Sequence, residues 1–289
     1  MTPGLTSQNG KLRLERLLRT EVRECRSIGG QFGVRHCQAT LADGRVVFAK
    51  IAGGQENGGF EAEARGLRWL GEPEAVPVPE VIGWDQATLV ISWLAAEAPG
   101  RSAAERFGRD LARMHAAGAE AYGAPWPGVI AGLPLGNNPG HAWPEWYAAE
   151  RLLPFARRAS DVGSLSPADV RLVEAVAARV TDLAGPAEPP SRIHGDCWSG
   201  NVLWSGGRAW LIDPAAHGGH RETDLAMLAL FGAPFLDRIV ACYQEVAPLA
   251  AGWRSRVPLH QLHPLLVHVC LFGAAYRAAA LDAARAALA

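Results

Sequence analysis

The sequence predicts an α+β fold in two lobes: residues 1–93 as an antiparallel five-stranded sheet with one helix, residues 94–289 as a mainly helical lobe. Before residue 93, short β-branched runs bounded by turn signals give five strand candidates around one helical stretch. After residue 100, helical periodicity dominates and only two short strands stand out. A third observation locates the chemistry in the second lobe. The run His194-Gly195-Asp196-Cys197-Trp198-Ser199-Gly200-Asn201 is followed, past a hairpin signal, by Leu211-Ile212-Asp213-Pro214.

In chain order, residues 10–23 have a helical period, with Leu12, Leu14, Leu17 and Leu18 set among Arg and Glu. Residues 25–30, 34–41 and 46–51 read as strands. Asp43-Gly44 joins the last two, because glycine accepts the positive φ of a tight hairpin. Residues 60–70 are helical in period, the Pro77 and Pro79 region breaks them, and residues 81–84 and 89–93 complete the sheet. Helices are expected at 103–115, 144–158, 167–183, 223–231, 234–245 and 259–288, the last long enough for two. The Gly- and Pro-rich span 118–140 reads as a long loop, a length that often carries function. Residues 184–190 read as a linker. In the second lobe only 202–204 and 209–212 read as strands, joined by Gly206-Gly207.

The chain of 289 residues is long enough to bury a sizeable core, and 49% hydrophobic with 20% charged residues is ordinary for a soluble globular protein. A net charge of −1 gives no general attraction to nucleic acid or to an anionic membrane, so any anion site must be local. Cys25, Cys37, Cys197, Cys242 and Cys270 are odd in number, scattered and without metal-ligand spacing, which predicts reduced thiols and a cytoplasmic location. Met1 to Thr20 has no apolar core and no small-residue cleavage pattern, so secretion is not expected. Residues 265–276 are apolar but short and interrupted by His268, which fits a buried helix better than a membrane span.

Three side chains in the opening motif have the spacing that metal-dependent phosphoryl transfer needs. An Asp orients the acceptor hydroxyl and takes its proton, and an Asn five positions later and a second Asp hold magnesium on the nucleotide phosphates. The protein-kinase catalytic loop reads H-R-D-x-x-x-x-N; here Gly195 replaces Arg and the Asp196-to-Asn201 spacing is kept. Asp196 and Asn201 precede the hairpin and Asp213 follows its second strand, so Asn201 and Asp213 are expected to approach one metal ion.

These residues closely resemble the fructosamine kinase (ketosamine-3-kinase) family, within the protein-kinase-like fold shared with aminoglycoside phosphotransferases and choline kinases. HGDCWSGN, Leu-Ile-Asp-Pro-Ala from Leu211, and Gly219-His220-Arg221-Glu222-Thr223-Asp224-Leu225-Ala226-Met227 carry the resemblance. It extends to residues 60–67, 108–115 and 146–152, and covers roughly residues 20–276.

The first lobe can be read for nucleotide handling. Lys50 ends the third strand and in the kinase pattern faces the α- and β-phosphates; Glu63 on the following helix is its expected partner in preference to Glu61, because it matches the family pattern. An isolated Lys and Glu would ordinarily be solvated surface charges; their order before the downstream motif favours the functional reading. Gly29, Gly30 and Gly33 lie between the first two strands, where small residues let backbone amides approach a phosphate, although glycine pairs are also common in hairpins. Some relatives carry a cysteine in this loop that permits redox control; here Gln31 and Phe32 occupy the region and Cys37 lies further along the strand, so thiol control through the loop is not expected. Main-chain groups of Trp93, Leu94 and Ala95 are expected to bind adenine, with Ser92 where the family usually has an acidic residue.

Trp198 and His220 are expected to shape the acceptor side, since an aromatic wall with polar groups suits a sugar on an amine. Asp224 is read either as an acceptor contact or as a brace for the catalytic loop. His194 reads as a structural tie to the Asp213 backbone, and Cys197 as a small buried hydrophobe. His217, His260, His263 and His268 lack a tight pairing with a carboxylate or thiol and read as helix-packing residues.

The expectation is an ATP- and Mg2+-dependent kinase, implied by resemblance to act on the 3-hydroxyl of a ketosamine, free or on a protein lysine, with deglycation as the outcome. A kinase of the same fold for aminoglycosides, choline or free sugars, and a nucleotide-binding pseudokinase, are the alternatives.

Overall fold

The computed structural model describes residues 3–54 and 59–289; Met1 and Thr2, which head the stretch read as leader-free, lie outside the described residues. Helix α1 (Pro3–Leu18) precedes the strands β1 (Val22–Gln31), β2 (Val34–Leu41) and β3 (Val46–Ala52). Helix α2 (Gly59–Gly71) then crosses to β4 (Val81–Asp85) and β5 (Thr88–Ser92). The five strands form one antiparallel sheet in the order β1-β2-β3-β5-β4.

Strand alternation decides what this sheet presents on each face. Val47, Ala49 and Ile51 of β3 pack with Leu14 of α1, Val22 and Cys37 in one apolar cluster. Phe48 and Lys50 therefore point to the opposite face, toward α2, where Phe60, Ala64 and Leu67 are buried against Leu89 and Ile91. His36, directly across from Lys50 on β2, shares that face.

The remainder is mainly helical: α3 (Arg101–Ala116), α4 (Trp143–Tyr147), α5 (Leu153–Asp161), α6 (Pro167–Leu183), α7 (Glu222–Leu230), α8 (Leu236–Val246), α9 (Trp253–Phe272) and α10 (Ala274–Leu288). Six short strands accompany them: β6 (Gly128–Ile130), β7 (Leu133–Leu135), β8 (Ser191–Ile193), β9 (Val202–Ser205), β10 (Arg208–Leu211) and β11 (His217–Gly219). One apolar cluster joins Leu70 and Val76 to Phe107, Leu111, Leu211 and Ile239, so packing is continuous across residue 93. A second fills the space among α4, α5, α6, α9 and α10. Among the described residues no helix is long and apolar enough to cross a membrane.

The α+β architecture with its five-stranded sheet is as the sequence predicts; several local features differ. α1 stops at Leu18, because Arg19 adopts a left-handed φ of 51° and Val22 is already paired with Leu41. Gly29 and Gly30 continue β1 past a bulge between Ser27 and Gly29 instead of forming a separate loop. The span read as a 118–140 loop contains the β6–β7 hairpin, turned by Ala131 and Gly132 at φ 48° and 81°. β8 and β11, unread in the sequence, are three residues each and exist by pairing with one another. The helix expected at 144–158 contains a five-residue π stretch, Ala148–Leu152. The final helix is two, divided at Gly273 with φ 65° and ψ −137°.

Candidate active site

The sheet face bearing Lys50 and the loop entering β9 line one cleft of about 540 Å³. Lys50 Nζ reaches Glu63 Oε1 and Oε2 at 2.8 and 2.9 Å and Asp213 Oδ1 at 2.7 Å. Burial works against the charge on Lys50, but the two carboxylates more than offset it and hold the ammonium above its ordinary pKa. Glu61 points away and pairs with Arg65 at 2.7 Å, both exposed. Gly66 sets the distance: a Cβ there would lie 3.1 Å from the Ala216 Cβ, so glycine lets α2 approach the Pro214–Ala216 segment and hold Glu63 close to Asp213.

Asp196, half-buried, accepts from Asn201 Nδ2 at its side chain (3.0 Å) and at its backbone oxygen (2.9 Å). The same amide lies 3.5 Å from the Asp213 carbonyl, so all three motif residues meet. Two backbone bonds set this arrangement, Trp198 N to Asp196 O at 3.0 Å and Asn201 N to Trp198 O at 2.9 Å. Burial, opposed by the Asn201 hydrogen bond and reinforced by Asp213 and Asp224, raises the Asp196 carboxyl to about 7. Asp213 holds a left-handed φ of 53°, and burial is outweighed by the Lys50 charge, which keeps its carboxyl below the usual range.

The glycine of the H-G-D run has a steric cause. Gly195 has φ 79°, and a Cβ would stand 2.3 Å from the Ala215 carbonyl oxygen. An arginine at this position would meet that wall.

His194 is fully committed. Its Nε2 donates to the Ile212 carbonyl at 2.8 Å, so the structural tie runs to Ile212 and not to Asp213; its Nδ1 accepts from the Asp196 N–H at 3.2 Å. Burial lowers its pKa, and neither nitrogen is left to take a substrate proton. The Cys197 thiol is fully buried, which raises its pKa well above normal.

Two expected acceptor contacts are corrected. Asp224 is completely buried behind the loop, where it accepts from His194 N (2.7 Å), Gly195 N (3.0 Å) and His115 Nε2 (3.1 Å). It braces the loop and does not face the cleft. His220 is also buried, 4.9 Å from the Trp143 ring and 4.8 Å from the His260 ring, with Nδ1 accepting from Glu222 N. His260, read as lacking a carboxylate, lies 3.5 Å from Glu222. His220, Glu222 and His260 are close enough to share a cation, but Arg256 already holds both Glu222 oxygens at 2.6 and 2.9 Å.

Trp198 does line the cleft, its ring lying over Gly200, where a Cβ would be 2.2 Å from the indole. Gly29, Gly30 and Gly33 are not among the lining residues; Gln31 and Phe32 at the same hairpin are. Gly30 is close to the backbone of β2, its Cβ position 2.4 Å from Val34 O, and Gly33 turns the hairpin at φ 76°. Trp93, Leu94 and Ala95 also lie off the described cleft lining; Trp93 N–H donates to Val46 O at 3.3 Å.

Sequence reasoning missed His36 on the sheet face, the Val129–Gly132 tip of the β6–β7 hairpin, and a wall of Phe231, His268, Phe272 and Tyr276. The spacing of His268, Phe272 and Tyr276 at every fourth residue was the available signal.

An ion-paired lysine on a sheet opposite an Asp…Asn…Asp loop defines a kinase-like phosphotransferase acting on an alcohol group. Its backbone follows that of the aminoglycoside phosphotransferase APH(4)-Ia, solved with ADP and hygromycin B, with a TM-score of 0.65 at 15% identity over 96% of this chain and 97% of that one. The fructosamine kinase family model matches residues 11–289, and the chain belongs to that family. A structure from Thermobifida fusca provisionally named a fructosamine-3-kinase is 56% identical, with a TM-score of 0.93 and coverage of 96% of this chain and 98% of that one. A probable ketoamine kinase of Thermus thermophilus is 36% identical over 234 residues, 81% of this chain and 84% of its own length. One from Synechocystis is 32% identical over 268 residues, 89% and 87% of the two chains.

Proposed function

We propose that the chain is an ATP- and magnesium-dependent kinase that phosphorylates the 3-hydroxyl of ketosamines, the fructosamine- or ribulosamine-type adducts of sugars on a free amine or a protein lysine. The observation that carries this reading is Asp196, set in one cleft between the Lys50–Glu63 pair and the Trp198 ring. Residues 1–93 would act as the nucleotide lobe and 94–289 as the catalytic and acceptor lobe.

In this reading Asp196 orients the acceptor hydroxyl and takes its proton late in the transfer. The hydroxyl oxygen bonds to the γ-phosphorus as the bond to the leaving ADP oxygen breaks. A carboxyl near 7 is matched to that work at neutral pH. Lys50, held by Glu63, neutralises the phosphates, and most of the rate gain is positioning and electrostatics.

Asn201 and Asp213 fit magnesium. Both offer hard oxygen donors; the Asn201 Nδ2 is committed to Asp196, leaving its Oδ1 as the ligand atom, and the Asp213 side chain is 40% exposed to the cleft. Bound there, magnesium would supply charge neutralisation across the nucleotide phosphates. The Gln31–Gly33 hairpin would cover those phosphates, with Gly29 and Gly30 shaping its approach, and the main chain of Trp93, Leu94 and Ala95 would take adenine.

A C3 phosphate is a leaving group once the aminoketose enolises, and its expulsion frees the amine on hydrolysis, so the implied biology is deglycation. Five scattered cysteines, odd in number, fit reduced thiols in a cytoplasm.

The test is an acceptor panel with ATP consumption measured: ribulose and fructose adducts of amines against free sugars, choline and aminoglycosides. Ketosamines are expected to exceed the others by about a hundredfold or more in kcat/KM. Faster turnover of an aminoglycoside or free sugar would replace the substrate class; magnesium-dependent ATP binding without transfer to any acceptor would leave a pseudokinase.

A further inference from the structure

Beside Asp196 the cleft changes character. Trp198 begins an unbroken series of ring contacts: Phe231 at 5.9 Å edge-on, then His268 at 5.1 Å, then Phe272 at 5.6 Å and Tyr276 at 4.7 Å. Phe272 in turn meets Phe32 at the tip of the β1–β2 hairpin, 6.3 Å away. Trp198, Phe32 and Phe272 are 37%, 52% and 46% exposed, so their faces are open to an occupant. The Val129–Gly132 hairpin tip, itself uncharged, also lines the cleft.

Charge is confined to the chemical centre. Among the described lining residues the only carboxylates are Glu63, Asp196 and Asp213, and the only lysine is Lys50. His268 is kept neutral by burial, which lowers its pKa, and its Nδ1 is paired with the Pro264 carbonyl at 2.8 Å. Among the described residues a polycationic acceptor would find no free carboxylate along the rings. The zwitterionic head of a free lysine adduct would give up hydration there for neutral groups such as the Tyr276 hydroxyl, with no charged side chain among the described residues along the rings.

Resting on the ketosamine reading, we propose that the ring series is the subsite for the amine half of the acceptor, and that it selects adducts whose amine substituent is a flat, uncharged aromatic group. The ketose then places its hydroxyl at Asp196 while the aryl group lies against the rings of Phe231, Phe272 and Tyr276. Stacking and edge contacts add to apolar burial for such a group and are absent for a flexible alkyl chain.

The experiment compares kcat/KM for one ketose, ribulose, carried on benzylamine, on butylamine and on lysine, in the wild type and in Phe272→Ala and Tyr276→Leu. The benzylamine adduct is expected to lead the lysine adduct by about tenfold, with butylamine between them. In each variant the benzyl-to-butyl ratio is expected to fall toward one. Two substitutions at different points of the wall keep the result readable should one of them fold poorly. Equal turnover of the three adducts, a preference for lysine, or an unchanged ratio in both variants would overturn the subsite while leaving the ketosamine reading in place. No transfer to any of the three adducts would overturn both.

Discussion

Asp196 and Asp224 lie on opposite sides of the same loop. The carboxylate of Asp196 faces the cleft with Asn201 Nδ2 as its side-chain partner, and its pKa is raised to about 7. That of Asp224 receives two backbone amides and the His115 ring. Burial acts against its charge too, yet those donors and the neighbouring histidines hold its pKa below the usual range. A polar group with spare hydrogen-bonding capacity at a cleft is available for chemistry. One that is saturated in the interior holds structure, and Glu222 beneath Arg256 repeats the second pattern.

The contrast can be broken by exchanging what each acid does. Asp196→Asn is expected to lower kcat by about 10²–10⁴-fold with little change in the urea midpoint. Asp224→Ala is expected to cost about 3 kcal/mol of stability in urea unfolding, because two loop amides and His115 lose a buried charged acceptor. Should Asp224→Ala keep full stability yet abolish transfer, the distinction between the front and back of the loop is lost.

The raised carboxyl of Asp196 gives a milder test. The base form is needed, so kcat/KM should rise with pH, by up to about tenfold per unit below 7, and level off above it. In Asp196→Asn that limb should vanish. Smaller still is the contrast within α2. Glu63→Gln removes the buried partner of Lys50 and should lower kcat/KM by about tenfold. Glu61→Gln touches only an exposed pair with Arg65 and should change stability by less than about 0.5 kcal/mol and activity not at all. Equal effects from the two would remove the special standing of Glu63.

The sequence carries much of this arrangement because several determinants are local. Asp196, Asn201 and Asp213 fall within one short stretch around a hairpin, and strand alternation alone turns Lys50 away from Ala49 and Ile51. What escapes is whatever tertiary packing decides. His220 and Asp224 share a stretch with cleft residues, and nothing in their identity reveals that Trp143 and His115 close over them. The same holds for His268, Phe272 and Tyr276: a spacing of four suggests one helical face, yet Gly273 parts α9 from α10 between the last two, and it is tertiary packing that brings all three rings to the cleft. The β8–β11 pair was invisible because three-residue strands carry no period.

The Phe32–Phe272 contact joins the tip of the sheet's first hairpin to the end of α9 across the mouth of the cleft. An exposed ring pair of this kind contributes about 1 kcal/mol, a bias of less than tenfold between a shut and a parted mouth. A contact this weak sets only a small cost on any ligand that has to part the two rings, and leaves the hairpin and α9 joined without locking them.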